Sequence, residues 1–380
     1  MADPRLGASV PLVPPLYTSA VYRIPDLDAL DRISNGEEPG YIYARDGHPN
    51  AHRLAEMLGE REGAKWTVIA GSGMSAISAA CLALVRAGDR IIASNRLYGR
   101  TNQLLKVELA HFGVKTEFVD VNDLDRVRHA LKIPAKLLIV ETLSNPLLRI
   151  ADVPALANVA HQQNCKLLVD NTFASPVLFR PLEHGADLVM ESLTKMIGGH
   201  SDVTLGLLAG NDPELLPLVN QAVSVWGLAS SPHECWLTER SLPTLDLRMK
   251  AATANAATLA RELVSNPALN RVIYPGLPDH PDRELAKKLL PDGCGNMMCI
   301  ELKAPGREPV NRFMKIIPFC PSLGDVATTC SHPATTSHRY EPAEEKTRQG
   351  ITDGLLRLSV GIEGIDVIRR RIAAACGLAK

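Results

Sequence analysis

The chain has 380 residues, 46% hydrophobic and 22% charged, enough apolar material for more than one layered unit of a soluble globular protein. Its 41 Lys and Arg residues stand against 42 Asp and Glu, a formal net charge of -1 that offers no electrostatic handle for nucleic acid or an anionic membrane. No apolar run reaches the roughly 18 residues of a membrane helix, and MADPRLGASVPLVPP lacks a basic segment followed by an apolar core, so the sequence reads as cytoplasmic, its eight scattered cysteines as reduced thiols.

Taken in order, residues 1–44 are rich in proline and small residues. PLVPPLYTSAVY cannot run as a helix through its prolines, and its apolar content predicts an extended arm that packs on a surface. In YIYARDGHPNAHRLAEMLGEREG a turn at Asp46, Gly47, His48 and Pro49 leads into a helix carrying Leu54, Met57 and Leu58. WTVIAGSGMSAISAACLALVRAGDRIIAS reads as strand, Gly-Ser-Gly turn, helix and strand. Glycine lets backbone N–H groups approach closely and the helix start favours an anion, so Ser72, Gly73 and Met74 form a candidate phosphate cup. Tyr98, in RLYGRTNQLL, can lie against a flat heteroaromatic ring, and its phenol can carry a proton.

AKLLIVETLSNPLLRIADV predicts a strand ending at Glu141 and a loop with Asn145. ALANVAHQQN then reads as a helix and KLLVDN as a strand, an alternation that points to a mostly parallel sheet. Beyond residue 238 the texture changes: LDLRMKAATANAATLARELVSN is a long helical pattern, and CGNMMCIEL, residues 313–319 and LLRLSVG predict strands of a smaller unit. The expected organisation is an arm (1–44), a large domain (45–238) and a small C-terminal domain (239–380).

The chemistry concentrates in KLLVDNTF and ESLTKMIGGHSDVTLGLLAG. Lys195 follows Ser192 and Thr194, precedes a Gly-Gly turn and lies between the apolar runs ADLVM and VTLGLLA. A lysine so placed is partly desolvated and loses its proton readily, which suits a Schiff base to pyridoxal phosphate, with the hydroxyls available to the phosphate. Asp170 ends an apolar run and so falls at the carboxyl edge of a sheet, where α/β proteins bind ligands; there it can hold a proton on a pyridine nitrogen or cap the next helix. His332 and His338 in SHPATTSHR have no carboxylate or cysteine to complete a ligand set, and no metal is expected.

VDNTF followed by ESLTKMIGGHSDVTLG resembles the Cys/Met-metabolism family of pyridoxal-phosphate enzymes, which includes cystathionine γ-synthase, cystathionine γ-lyase, methionine γ-lyase and O-acetylhomoserine sulfhydrylase. The resemblance runs through VPPLYTSAVY, YARDGHPN, GSGMSAI, LYGRT, ETLSNPLLRIADV, RMKAATANA, VIYPGLPDHP, SLGDVATTCSHPA and LLRLSVGIE. It implies an aspartate-aminotransferase-like α/β fold of type I, with a mostly parallel seven-stranded sheet and a smaller α/β C-terminal domain. It implies that Tyr43 and Arg45 reach the cofactor phosphate of a neighbouring subunit, and that Gly73 and Met74 offer it backbone donors together with Ser192 and Thr194. It also implies that Tyr98 stacks on the pyridine ring, that Asn145, Asp170 and Thr172 hold the cofactor, and that Lys195 carries it. Asn145, Ser322 and Arg357 are implied substrate contacts, Arg357 gripping the α-carboxylate with its guanidinium fork. Relatives are commonly homotetramers, built as dimers of dimers.

This chain departs from the family pattern at several positions. His48 and Asn50 stand where asparagine and threonine are usual, Arg100 where methionine γ-lyases carry cysteine, Gln103 where cystathionine-handling relatives carry arginine, and Pro321 where they often carry glutamate. The expected reaction is γ-elimination from methionine, cystathionine or a related sulfur amino acid to 2-oxobutanoate, ammonia and a thiol, with Lys195 and Tyr98 as catalytic residues. The alternative is γ-replacement on an O-acylhomoserine. A nicotinamide dehydrogenase would need G-x-G-x-x-G at the first strand-helix turn, which is absent. A non-catalytic scaffold would not need Tyr98, Asp170, Lys195 and Arg357 together.

Overall fold

Strands that are apolar at every position need cover on both faces, and that requirement organises the large sheet. The computed structural model describes residues 8–304, 306–339 and 341–377. Its seven-stranded sheet comprises β1 (Trp66–Ala70), β2 (Arg90–Ser94), β3 (Lys115–Val119), β4 (Leu137–Glu141), β5 (Lys166–Asp170), β6 (Leu188–Ser192) and β7 (Gly206–Gly210), in the order β1-β7-β6-β5-β4-β2-β3. The run from β3 to β6 is parallel, while β7 lies antiparallel between β6 and β1. In β4, Leu138 and Val140 enter one apolar core while Leu137 and Ile139 enter the other, so alternation along one strand supplies both faces.

A second, four-stranded sheet holds β8 (Leu269–Ile273), β9 (Met297–Leu302), β10 (Thr329–Ser331) and β11 (Leu355–Ser359), ordered β10-β11-β9-β8 and antiparallel throughout. The helix Leu245–Leu263 joins the two bodies: Leu245 and Met249 pack in the large-sheet core, whereas Ala256, Leu259, Ala260 and Leu263 pack in the small one.

Two local expectations are corrected. Residues 313–319, expected as a strand, begin inside the helix Arg307–Ile316. Val310, Phe313 and Ile317 are buried at i, i+3 and i+7, a helical stripe that starts upstream of the apolar run that looked strand-like. The arm is not extended throughout: α1 (Leu27–Ser34) interrupts it, capped by the Asp26 carboxylate accepting from the Ala29 N–H at 2.8 Å. Upstream, the arm lies on its own chain. Asn50 bonds the Tyr17 N–H at 2.9 Å and the Pro15 carbonyl at 3.0 Å, and the Trp236 indole donates to the Pro14 carbonyl at 2.9 Å. His48 caps α2 (Pro49–Glu62) by accepting the Ala51 N–H at 3.1 Å.

At the end of α2 the Glu62 carboxyl is fully buried near the buried Glu191 carboxyl of β6, and neither of its oxygens has a hydrogen-bond partner among the described residues. Burial lifts Glu62 to about 7 and, with the neighbouring Glu62 charge, Glu191 well above the usual carboxylate range, so the protonated form is favoured at both. The folded chain therefore holds more protons than the unfolded one between about pH 4.5 and 7, and stability falls as pH rises through that window. Glu62→Gln is expected to flatten the decline and to stabilise the protein at pH 8 by the order of 2–3 kcal/mol in urea denaturation. A variant as pH-sensitive as wild type would refute the raised proton affinity of Glu62.

Candidate active site

The parallel strands all point their carboxyl ends to one edge, and there the chemistry collects. Glu141 and Asp170 are register partners at the ends of β4 and β5, and Ser192 ends β6 beside them. A cavity of about 1320 Å³ opens over this edge toward the small sheet. Its walls hold Gly73, Met74, Tyr98, Asn145, Asp170, Thr172, Ser192, Thr194, Lys195, Ser322 and Arg357, the whole expected set save Tyr43 and Arg45. Those two lie outside it, the Arg45 guanidinium 5.1 Å over the Tyr43 ring.

Lys195 occupies a tight turn after β6, where its N–H bonds the Ser192 carbonyl at 3.1 Å and its own carbonyl accepts from Gly199 at 2.8 Å. The Nζ donates to Ser322 Oγ at 2.9 Å. Burial, then the Arg357 charge, lower its pKa to about 8, against an opposing pull from Asp170. The Ser322 loop is held close by Gly324, at φ +84°, where an added Cβ would come within 2.5 Å of the Met196 nitrogen. From below, the buried Arg248 donates to the carbonyls of Met196, Ile197 and Ser241 at 2.5, 2.9 and 3.1 Å. The lysine turn is thus fixed from both sides.

Asp170 is half-buried in the cavity wall, and the loss of water around its carboxyl raises its pKa. The Thr172 N–H, at 3.0 Å from Oδ1, and the Lys195 charge stabilise the ionised form. Thr172 Oγ1 in turn accepts the Ser192 N–H at 2.9 Å, tying the ends of β5 and β6 together. On the opposite wall the buried Arg357, in the middle of β11, donates to Asn145 Oδ1 at 2.7 Å and to the Ser322 carbonyl at 3.2 Å. Its Nε is buried without a partner among the described residues, and burial brings the group down to about 10. A buried guanidinium with one N–H unsatisfied is a receptor for an anion such as a carboxylate.

Sequence reading missed two residues that shape this site. Glu141 ends its strand as expected, and beyond that its carboxylate accepts the N–H groups of both Tyr98 and Asn145. Arg248 interrupts a buried stripe of Leu245, Met249 and Ala252; a charge on such a stripe is the available signal. His332 is engaged by Thr335 Oγ1 at 2.9 Å and the Asp353 carbonyl at 3.0 Å, and among the described residues no cluster of three His, Cys, Asp or Glu could hold a metal.

The residues present fit pyridoxal phosphate. The start of α3 (Gly73–Leu84) carries N–H groups of Gly73 and Met74 with no partner inside the helix, and Gly73 packs so tightly on β6 that an added Cβ would sit 2.8 Å from Ser192 Cβ. The hydroxyls of Ser192 and Thr194 share that corner, and a lysine and an aspartate stand further along the same wall. This is the donor set of an enzyme that keeps a phosphorylated pyridine aldehyde on a lysine.

The chain belongs to the Cys/Met metabolism PLP-dependent enzyme family, whose model matches residues 3–376. Cystathionine beta-lyase MetC of Bacillus subtilis is 40% identical over 337 residues, 88% of this chain and 85% of that protein. L-Methionine gamma-lyase of Porphyromonas gingivalis is 37% identical over 364 residues, 94% and 90% of the two chains. The crystal structure of cystathionine gamma synthase from Xanthomonas oryzae pv. oryzae in complex with cystathionine superimposes with a TM-score of 0.91 at 35% identity, covering 98% of this chain and 95% of that one. The names of these relatives divide between elimination and synthesis.

Proposed function

We propose that the protein eliminates the γ-substituent of a sulfur amino acid, methionine, cystathionine or a relative, releasing 2-oxobutanoate, ammonia and a thiol. The observation that carries the reading is Lys195, an amine of pKa about 8 standing between Asp170 and the Arg357 guanidinium in one cavity. Pyridoxal phosphate, when bound, supplies the electron sink for charge developing at the substrate α-carbon. Ser192, Thr194 and the Gly73 and Met74 N–H groups bind its phosphate, and Asp170 keeps a proton on its ring nitrogen. Arg357, held flat by Asn145, receives the substrate carboxylate and orients the α-carbon toward Lys195.

Lys195, whose proton is loosened by burial and by the Arg357 charge to a pKa of about 8, takes the α-proton in its uncharged form and then moves a proton at the β-carbon. Tyr98 lies beside Arg357 and holds a proton for the departing sulfur. Arg100, which donates to Gln103 Oε1 at 2.7 Å, lines the same cavity and offers a positive charge there. Tyr43 and Arg45 complete the phosphate site of a second copy in a homotetramer of paired dimers, and the enzyme works in the cytoplasm.

A second reading, γ-replacement on an O-acylhomoserine, is favoured by the likeness to cystathionine gamma synthase. Product analysis separates the two. Cofactor-loaded protein is given methionine, cystathionine, homocysteine or O-acetylhomoserine, each with and without added thiol. Release of 2-oxobutanoate from a sulfur amino acid alone is expected. Thiol-dependent consumption of the acylated homoserine in its place would establish replacement, and pyruvate from cystathionine would establish β-elimination.

A further inference from the structure

Glu141 ends β4 inside the cavity wall, and the steps proposed above give it no task. The carboxyl is buried beside a like charge, Asp170, its register partner on β5. Burial first, then Asp170, push its proton affinity up, while the Tyr98 and Asn145 N–H groups and the Arg357 charge pull it down. A neutral residue would avoid that cost, so what the charge orders must be specific. One oxygen accepts from Tyr98 N–H and the other from Asn145 N–H, the latter at 3.0 Å. Tyr98 begins a short helix and has no side-chain cap to hold it, and Asn145 carries the Oδ1 that meets Arg357 at 2.7 Å.

We propose that Glu141 is a positioning residue whose two carboxylate oxygens hold the Tyr98 phenol and the Asn145–Arg357 carboxylate receptor at a fixed separation across the cavity. Only a carboxylate offers two acceptor oxygens in one rigid fork; a glutamine of the same shape presents an N–H to one of the two N–H groups and leaves it unpaired. The proposal deepens the enzymatic reading above and rests on it for the roles of Tyr98 and Asn145.

The test begins on cofactor-free protein, where substrate chemistry plays no part. In wild type the Tyr98 and Asn145 amides are expected to exchange with solvent about 100-fold more slowly than in an unstructured chain. In Glu141→Gln at least one of them exchanges about tenfold faster, while the Thr172 amide, bonded to Asp170 Oδ1, and the Ser192 amide, bonded to Thr172 Oγ1, keep wild-type rates. In the loaded enzyme Glu141→Gln loses about 10–100-fold in kcat/KM, and Glu141→Asp, which keeps both acceptor oxygens, loses less. Unprotected Tyr98 and Asn145 amides in wild type would overturn the proposal even if the variants fail to fold. Unchanged exchange in Glu141→Gln, or a glutamine variant more active than the aspartate one, would do the same. Failure of the catalytic reading itself shows separately, as turnover surviving loss of Lys195.

Discussion

Lys195→Ala is expected to lower kcat by about four orders of magnitude, the largest effect of any single change in this chain. The amine is both the cofactor attachment point and the proton carrier in the proposed sequence, and the described neighbourhood holds no second lysine that could replace it in the cavity wall near Asp170; Lys106 lines the outer part. The fold should tolerate the change, since among the described residues Nζ bonds only Ser322 Oγ, at 2.9 Å, and the turn is held through backbone bonds and Arg248. A chemical readout accompanies the kinetic one. Borohydride reduction of the yellow wild-type holoenzyme should leave the cofactor's mass on the peptide containing Lys195, and the variant should carry none. Wild-type turnover, or label on another lysine, would remove Lys195 from its assigned role.

Arg357→Leu is the second large effect. The guanidinium is buried, already commits two donors to Asn145 and Ser322, and keeps a third N–H without a partner among the described residues. Loss of a buried, hydrogen-bonded partner of a charged ligand costs about 2–5 kcal/mol, so kcat/KM should fall about 1,000-fold, chiefly through KM. Arg357→Lys keeps the charge without the planar fork and should recover only part of the loss. Amines lacking an α-carboxylate, tested as inhibitors, should bind wild type and Arg357→Leu alike. A variant within tenfold of wild type on the normal substrate would show that the carboxylate is received elsewhere.

The strand ends were legible because two signals coincide there: a continuous apolar run fixes the strand, and the first charged residue marks where cover ends. Glu141 and Asp170 both obey this, and they close β4 and β5 in register. Lys195 was legible from its setting between two apolar runs and a Gly-Gly turn. The segment 313–319 misled because a short apolar run carries no period of its own, and the helical stripe becomes visible only when Val310 is included. Helix α1 was missed inside a proline-rich arm, although Asp26 is a standard capping residue one position before it.

What the sequence determined by itself was local: which runs must be buried, which residues end them, and which lysine sits where a proton is easily lost. The meeting of Arg357 with Asn145 and Ser322, whose shared role the resemblance implies, was decided by the tertiary structure. Arg357 meets Asn145 across 212 residues of chain, and Lys195 meets Ser322 across 127, because the helix Leu245–Leu263 roots the small sheet in the core of the large one and turns β11 toward its carboxyl edge. Periodicity reports which face of an element is buried, never what stands opposite it. The second task of Glu141, gripping two backbone N–H groups from different loops, is of that kind: a property of packing, unreadable in the strand that carries it.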